Sequence, residues 1–396
     1  MADFSKALVG PWRAVPVLGV TQILAWGALF YPPVLTLPLI AQERGWSITF
    51  AMAGFSGGLL VGGLVAPLVG RLIDRFGGNY VMAGGSLAGA VGLMLLVVLE
   101  HPVAYAVTWM LLGAAMAASL YDPAFATLGR IFGAGARGPI TLITFAGGFA
   151  STVSWPSSLL LLDQVGWRGT YLTYAALLAL VAAPLHAFAL PRERAEPMAA
   201  AAGKHAVAGP FLAPNGLAFL VVAVGFAAYA FIPSALSAHL LAMFGRSGID
   251  AATAVFIGAM FGPSQVAARL VEFLFGGRLH PLTIARLAIF ALLAAIVTLA
   301  VVGISPTVAL AFIVLAGASN GLLTIARGTV PLYLFGAAGY GRTVGRIAAP
   351  SLAMQSVAPV VLALAIEHGS DRAALAVMAL VACISFASML MVRRPV

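Results

Sequence analysis

The chain has 396 residues, of which 62% are apolar and only 8% are Asp, Glu, Lys or Arg. That composition leaves too little charged surface to face water and excludes a soluble globular domain. The formal charge of +9 comes from basic residues scattered through short loops, with no aromatic-interleaved patch, which excludes nucleic acid as a partner.

Apolar runs of about 20 residues, the length that crosses the hydrocarbon layer, recur along the chain. Read between charged or Pro/Gly-marked breaks, they fall near 14–40, 49–70, 80–99, 103–128, 139–162, 169–190, 215–241, 252–276, 282–302, 307–333, 346–366 and 373–392. The first is too long for a signal-peptide core and follows Lys6 and Arg13 with no small-residue cleavage site, so it stays as a span. Irregular backbone cannot face lipid, and Pro33, Pro67, Pro156, Pro233, Pro263 and Pro359 therefore read as kinks inside helices. The expected fold is an all-α membrane protein of twelve transmembrane helices in two pseudo-symmetric six-helix bundles.

Only Arg44, Arg168, Arg246 and Arg372 fall on one side of these spans, and Arg269 and Arg327 lie within them. The other Lys and Arg residues gather on the opposite side. By the positive-inside rule that side is cytoplasmic and holds both termini, as in a multi-pass protein of the cell (inner) membrane. The stretch from Pro191 to Pro214 is Ala- and Pro-rich and carries Arg192, Arg194 and Lys204, as a cytoplasmic linker would. It divides the chain into a bundle over 1–190, a linker over 191–214 and a bundle over 215–396.

Across that linker, Phe132-Gly133-Ala134-Gly135-Ala136-Arg137-Gly138 reappears as Phe335-Gly336-Ala337-Ala338-Gly339-Tyr340-Gly341, and Pro156 maps onto Pro359 at the same offset. Asp163 and Arg168 pair with Glu367 and Arg372 one residue further on, and Pro33 matches Pro233. This repetition points to an internal duplication. Duplicated halves place a substrate site between them, exposed to either side in turn.

The segment Gly70-Arg71-Leu72-Ile73-Asp74-Arg75-Phe76-Gly77 after the second span resembles the loop signature of the major facilitator superfamily. Gly277-Arg278-Leu279 after the eighth span is a degenerate echo of it. The resemblance covers essentially the whole chain and implies a secondary transporter rather than an enzyme. Gly70, Arg71, Asp74, Arg75 and Gly77 would then form a conformational latch, with Asp74 accepting hydrogen bonds from a neighbouring helix amino terminus. The family's usual basic pair is replaced by Gly78 and Asn79. Trp109 ahead of Gly113 and the run Ala146-Gly147-Gly148-Phe149 depart from the pattern of its proton-coupled drug exporters.

Charges inside a span cost at least about 2.5–3.5 kcal/mol on insertion scales, so each needs a partner or a purpose. Gln265, Arg269 and Glu272 stand at i, i+4 and i+7 and share one face of the eighth span. An arginine there offers a planar fork for a carboxylate or another oxyanion, while a purely structural Arg269–Glu272 pair is the bland alternative. The arrangement is similar to the monocarboxylate porter branch of the superfamily, with Gln265 where that branch has an acid. Asp122 in the fourth span and Arg327 in the tenth occupy corresponding places. Asp122 and Glu272 are the candidate proton carriers, and capping of a helix break before Pro123 is the rival role for Asp122. Gln22 and Tyr31, Tyr229, Asn320 and Gln355 complete the substrate-binding candidates, each with a helix–helix hydrogen bond as its alternative.

The single cysteine, Cys383, excludes an intrachain disulfide and a cysteine-based metal site, and there is no Gly-rich Lys-Ser/Thr nucleotide loop. No cofactor is implied. The expected partners are a small-molecule substrate, the bilayer and a candidate proton, and the expected state is a monomer. The expectation is alternating-access transport of a small organic anion or oxyanion. An exporter of toxic drugs or metalloids, and a non-transporting receptor, are the rivals.

Overall fold

A computed structural model describes residues 10–192, 216–275 and 279–392. The greater part of the linker, both extreme termini and the Gly277-Arg278 echo lie outside the described residues. Among those described there is no strand, and helix accounts for nearly every residue.

The helices are α1 (Ala14–Leu29), α2 (Pro33–Arg44), α3 (Ile48–Phe76), α4 (Gly78–Val98), α5 (Pro102–Ser119), α6 (Tyr121–Phe132), α7 (Arg137–Gly148) and α8 (Ala150–Leu177). After the linker come α9 (Leu217–Arg246), α10 (Ala251–Ala259), α11 (Phe261–Phe275), α12 (Pro281–Val302), α13 (Pro306–Phe335), α14 (Tyr340–Glu367) and α15 (Asp371–Met391). Their starts follow local chemistry. Ser47 accepts from Phe50 N at 3.1 Å to begin α3, and Asp250 accepts from Thr253 N at 3.0 Å to begin α10. Pro102 and Pro281 sit in the first turns of α5 and α12, where no intrahelical N–H is needed.

Ten stretches are long and apolar enough to span a bilayer, one of them running 88 residues from Pro102 to Ala189. That stretch is broken at Leu120, turns at Gly133–Ala136, and leaves helical geometry at Gly166 (φ 66°), so it supplies three crossings and the total is twelve. Two spans read as kinked are in fact broken, the first between Leu29 and Pro33 and the eighth at Met260, and the fourth is broken at Leu120, just before Pro123.

The chain forms two compact units. The first takes residues 1–208 with 335–349, and the second takes 209–334 with 350–396. In the first, α1 packs on α7 and α8, α3 lies along α5, and α4 is held between α5 and α8 around buried Tyr105, Trp109, Phe125 and Tyr171. In the second, α15 packs against α9 and α12, and Phe231, Phe244 and Phe312 are buried. Large apolar side chains such as Leu64, Leu180 and Val301 stay exposed, as helices solvated by lipid require.

Candidate functional site

Helix α11 is inside out by the standards of a soluble protein. Arg269 is 3% exposed and Glu272 6%, while Phe273, Leu274 and Phe275 are at least half exposed. That pattern fits a helix with lipid on one side and a polar cluster on the other.

The cluster is built from three helices of the second unit. Arg269 donates from Nη2 to Gln265 Oε1 at 3.2 Å and to Thr324 Oγ1 at 3.3 Å, and from Nε to Gly321 O at 3.4 Å. Asn320 Nδ2 donates to the same Gln265 Oε1 at 2.8 Å, and Tyr229 Oη donates to Asn320 Oδ1 at 2.8 Å. Four of the sequence candidates, Arg269, Gln265, Asn320 and Tyr229, therefore form one network. Helices α11 and α13 can approach closely because of Gly317 and Gly321. A Cβ on either would stand 2.5 Å from a backbone carbonyl oxygen of α11, that of Phe261 or of Gln265. Thr324 was not anticipated, although Asn320, Thr324 and Arg327 repeat on α13 the i, i+4, i+7 spacing of Gln265, Arg269 and Glu272 on α11.

Other candidates do different work. Gln22 is 0% exposed and its amide is committed: Nε2 donates to Ser119 O at 2.8 Å and to Leu120 O at 3.3 Å, while Oε1 accepts from Trp26 Nε1 at 3.2 Å. The Ser119 carbonyl would ordinarily be met by the N–H four residues on, and that residue is Pro123. Gln22 thus closes the break between α5 and α6. Asp122 lies in the first turn of α6, whose cap position is Leu120. Tyr31 belongs to an aromatic group with Trp26, Phe30 and Trp155 at centroid distances of 6.2, 5.7 and 6.2 Å. The backbone carbonyl of Gln355, orphaned by Pro359, receives Ser234 Oγ at 2.7 Å. Arg327 lies on α13 of the second unit and Asp122 in the first.

At the end of α3, both oxygens of Asp74 are used. Oδ1 accepts from Gly341 N at 2.9 Å and Oδ2 from Arg342 N at 2.8 Å, at the amino terminus of α14. These first turns of α14 belong to the first unit. A Cβ on Gly70 would fall 2.0 Å from Gly341 O, so the two backbones touch only because both residues are glycine. Arg130 donates from Nη1 to the backbone oxygens of Ile73 and Asp74. Arg71 and Arg75 are exposed, and Gly77 takes φ 90° between α3 and α4.

The family model of the Major Facilitator Superfamily matches residues 17–345. The chain belongs to the Major Facilitator Superfamily. It is a multi-pass membrane transporter, not an enzyme. Solved structures with the same fold include the human organic anion transporter MFSD10, at 15% identity over 96% of this chain and 100% of that one with a TM-score of 0.72. The superfamily transporter FucP in its outward conformation aligns at 14% identity over 96% and 98% with a TM-score of 0.73. The proton:xylose symporter XylE, bound to 6-bromo-6-deoxy-D-glucose, aligns at 10% identity over 96% of each chain with a TM-score of 0.73. No curated protein sequence matches the chain. In this superfamily transporter Asp74 stands in the last turn of α3, and the charged face of α11 is the feature that its sequence shares least with a generic membrane helix.

Proposed function

We propose that this transporter carries a small organic anion or oxyanion by alternating access, with Arg269 as the group that clasps it. The observation that supports this most is Arg269 itself, a cation buried to 3% exposure among the polar side chains of three helices and held by hydrogen bonds to Gln265, Thr324 and Gly321. Such a fork, oriented before the ligand arrives, suits bidentate binding of a carboxylate. The fold shared with a human organic anion transporter agrees with it. Asp122 and Glu272 are the candidate proton carriers, and Asp74 at the start of α14 is the latch that holds one conformer. The protein sits in the inner membrane as a monomer, with both termini and the 191–214 linker in the cytoplasm between bundles over 1–190 and 215–396.

Uptake into proteoliposomes tests the reading. Wild type should accumulate an organic acid or oxyanion, Arg269→Ala should lose it, and Arg269→Lys should recover little because an ammonium has no fork. Full anion transport by the alanine variant would make Arg269 structural. It would favour the second reading, export of uncharged toxic solutes, with the hydrogen bonds of Arg269 to Gln265, Thr324 and Gly321 serving as scaffold.

A further inference from the structure

The hydrogen bonds around Gln265 can run in only one direction. An arginine never deprotonates and has no acceptor, so the Gln265 atom 3.2 Å from Arg269 Nη2 is its oxygen. That same oxygen faces the Asn320 amide at 2.8 Å, so Asn320 must present Nδ2 to it. Asn320 Oδ1 is then turned to Tyr229, whose hydroxyl donates at 2.8 Å. Thr324 Oγ1 gives its proton to Asn320 O at 2.7 Å and meets Arg269 as an acceptor at 3.3 Å. Reversing either amide would set donor against donor beside a cation, at the cost of at least one buried hydrogen bond.

The side-chain acceptors of Gln265, Asn320 and Thr324 are thus all turned inward to donors of the cluster. What remains outward is different in kind. Among the described residues nothing accepts from Gln265 Nε2 or from the second Asn320 Nδ2 hydrogen, and both residues are half-exposed. Glu272, one turn beyond Arg269 along α11, is buried at 6% exposure.

We propose that Gln265 and Asn320, aligned by Arg269 and Tyr229, form a donor-only recognition face that admits an ionised carboxylate or oxyanion head and rejects its hydroxyl, amine or protonated counterpart. Gln265 is the specificity-determining residue. This rests on the anion reading above and narrows it. A hydroxylated solute such as a sugar brings an O–H with every oxygen, and this face offers that proton no acceptor. The ligand proton left without an acceptor is what separates the two ligand classes.

The test uses purified full-length protein in detergent and calorimetric titration with acetate, lactate, benzoate and citrate, then with the amide and alcohol counterparts of each acid that binds. The expected result is binding of at least one carboxylate, loss of it in Arg269→Ala, and weakening by about tenfold or more for the matched amide and alcohol. Gln265→Glu places a carboxylate where the outward donor stood and should weaken the carboxylate by at least about tenfold at neutral pH. Gln265→Met, which removes the donor without adding charge, serves if the glutamate variant does not fold. Carboxylates that bind no tighter to wild type than to Arg269→Ala would end the anion reading itself. A carboxylate that needs Arg269 yet is matched by its alcohol, or is indifferent to both Gln265 substitutions, would leave that reading standing and overturn the donor-only face.

Discussion

Replacing Asp74 by alanine should release the first turns of α14 while leaving the rest of the first unit folded. Two hydrogen bonds disappear, to Gly341 N at 2.9 Å and Arg342 N at 2.8 Å. Loss of a side-chain cap costs about 0.5–2 kcal/mol, and removing a negative charge from a helix amino terminus costs a further 0.3–1 kcal/mol or so. A combined loss of about 2 kcal/mol corresponds to roughly thirtyfold in the local opening equilibrium. Hydrogen exchange of the 341–345 amides in nanodiscs reads that equilibrium directly, because exchange there requires the contact to open. Asp74→Asn keeps one of the two acceptors and loses the charge, and should move exchange by an intermediate amount, about five- to tenfold. The ordering alanine, then asparagine, then wild type is the diagnostic. Equal protection in Asp74→Ala and wild type would mean that backbone contact alone holds α14, and the latch would have to be sought in Gly70 and Gly341 instead.

Three further outcomes follow from the same geometry. Gly321→Ala would place a methyl 2.5 Å from Gln265 O, and should both weaken anion binding and lower stability by about 1–3 kcal/mol in thermal unfolding. Gln22→Ala leaves the Ser119 carbonyl unmet and should cost about 1–3 kcal/mol, yet cost clearly less when Pro123→Ala restores the missing N–H. Equal costs in both backgrounds would refute the assignment. Asp250, exposed outside the spans, is held below the usual carboxylate range chiefly by the Thr253 backbone N–H, with the Thr253 hydroxyl adding to it. Its cap on α10 is therefore present at neutral pH and is lost as the pH falls through that depressed value. Exchange at 251–254 should rise in acid for wild type and be raised at every pH in Asp250→Ala.

Much of this architecture is written in local sequence, and the exceptions are instructive. Length and hydropathy set the spans, and the polar face of α11 is visible in the spacing of Gln265, Arg269 and Glu272 because helical periodicity is a property of the chain alone. Breaks at Leu120 and Met260 are harder to see, since a proline in lipid can either kink a helix or end it, and a distant donor decides which. For Leu120 that donor is Gln22, about a hundred residues away in sequence. The same holds for 335–349, which follow the linker in sequence yet belong to the first unit. What joins them is Asp74 and the contact of Gly70 with Gly341, and both partners on α3 are remote from residue 341 in sequence.

Polar residues in these helices divide by what their partners lack. The Gln22 amide answers Ser119, whose carbonyl lost its helical donor to Pro123, and Ser234 answers Gln355, whose carbonyl lost its donor to Pro359. Each of these repairs a known defect, and each polar group is accounted for by secondary structure alone. The Arg269 cluster repairs nothing of the kind. Gly321 O, which accepts from Arg269, lies inside the continuous helix α13, and Gln265, Asn320 and Tyr229 meet one another rather than a broken helix. A cation carried into lipid is costly, and no backbone gap is closed in return. A ligand whose charge and acceptors match what the cluster presents would supply such a return under the proposed function, which is why the test of function belongs at Arg269 and Gln265 and not at Gln22.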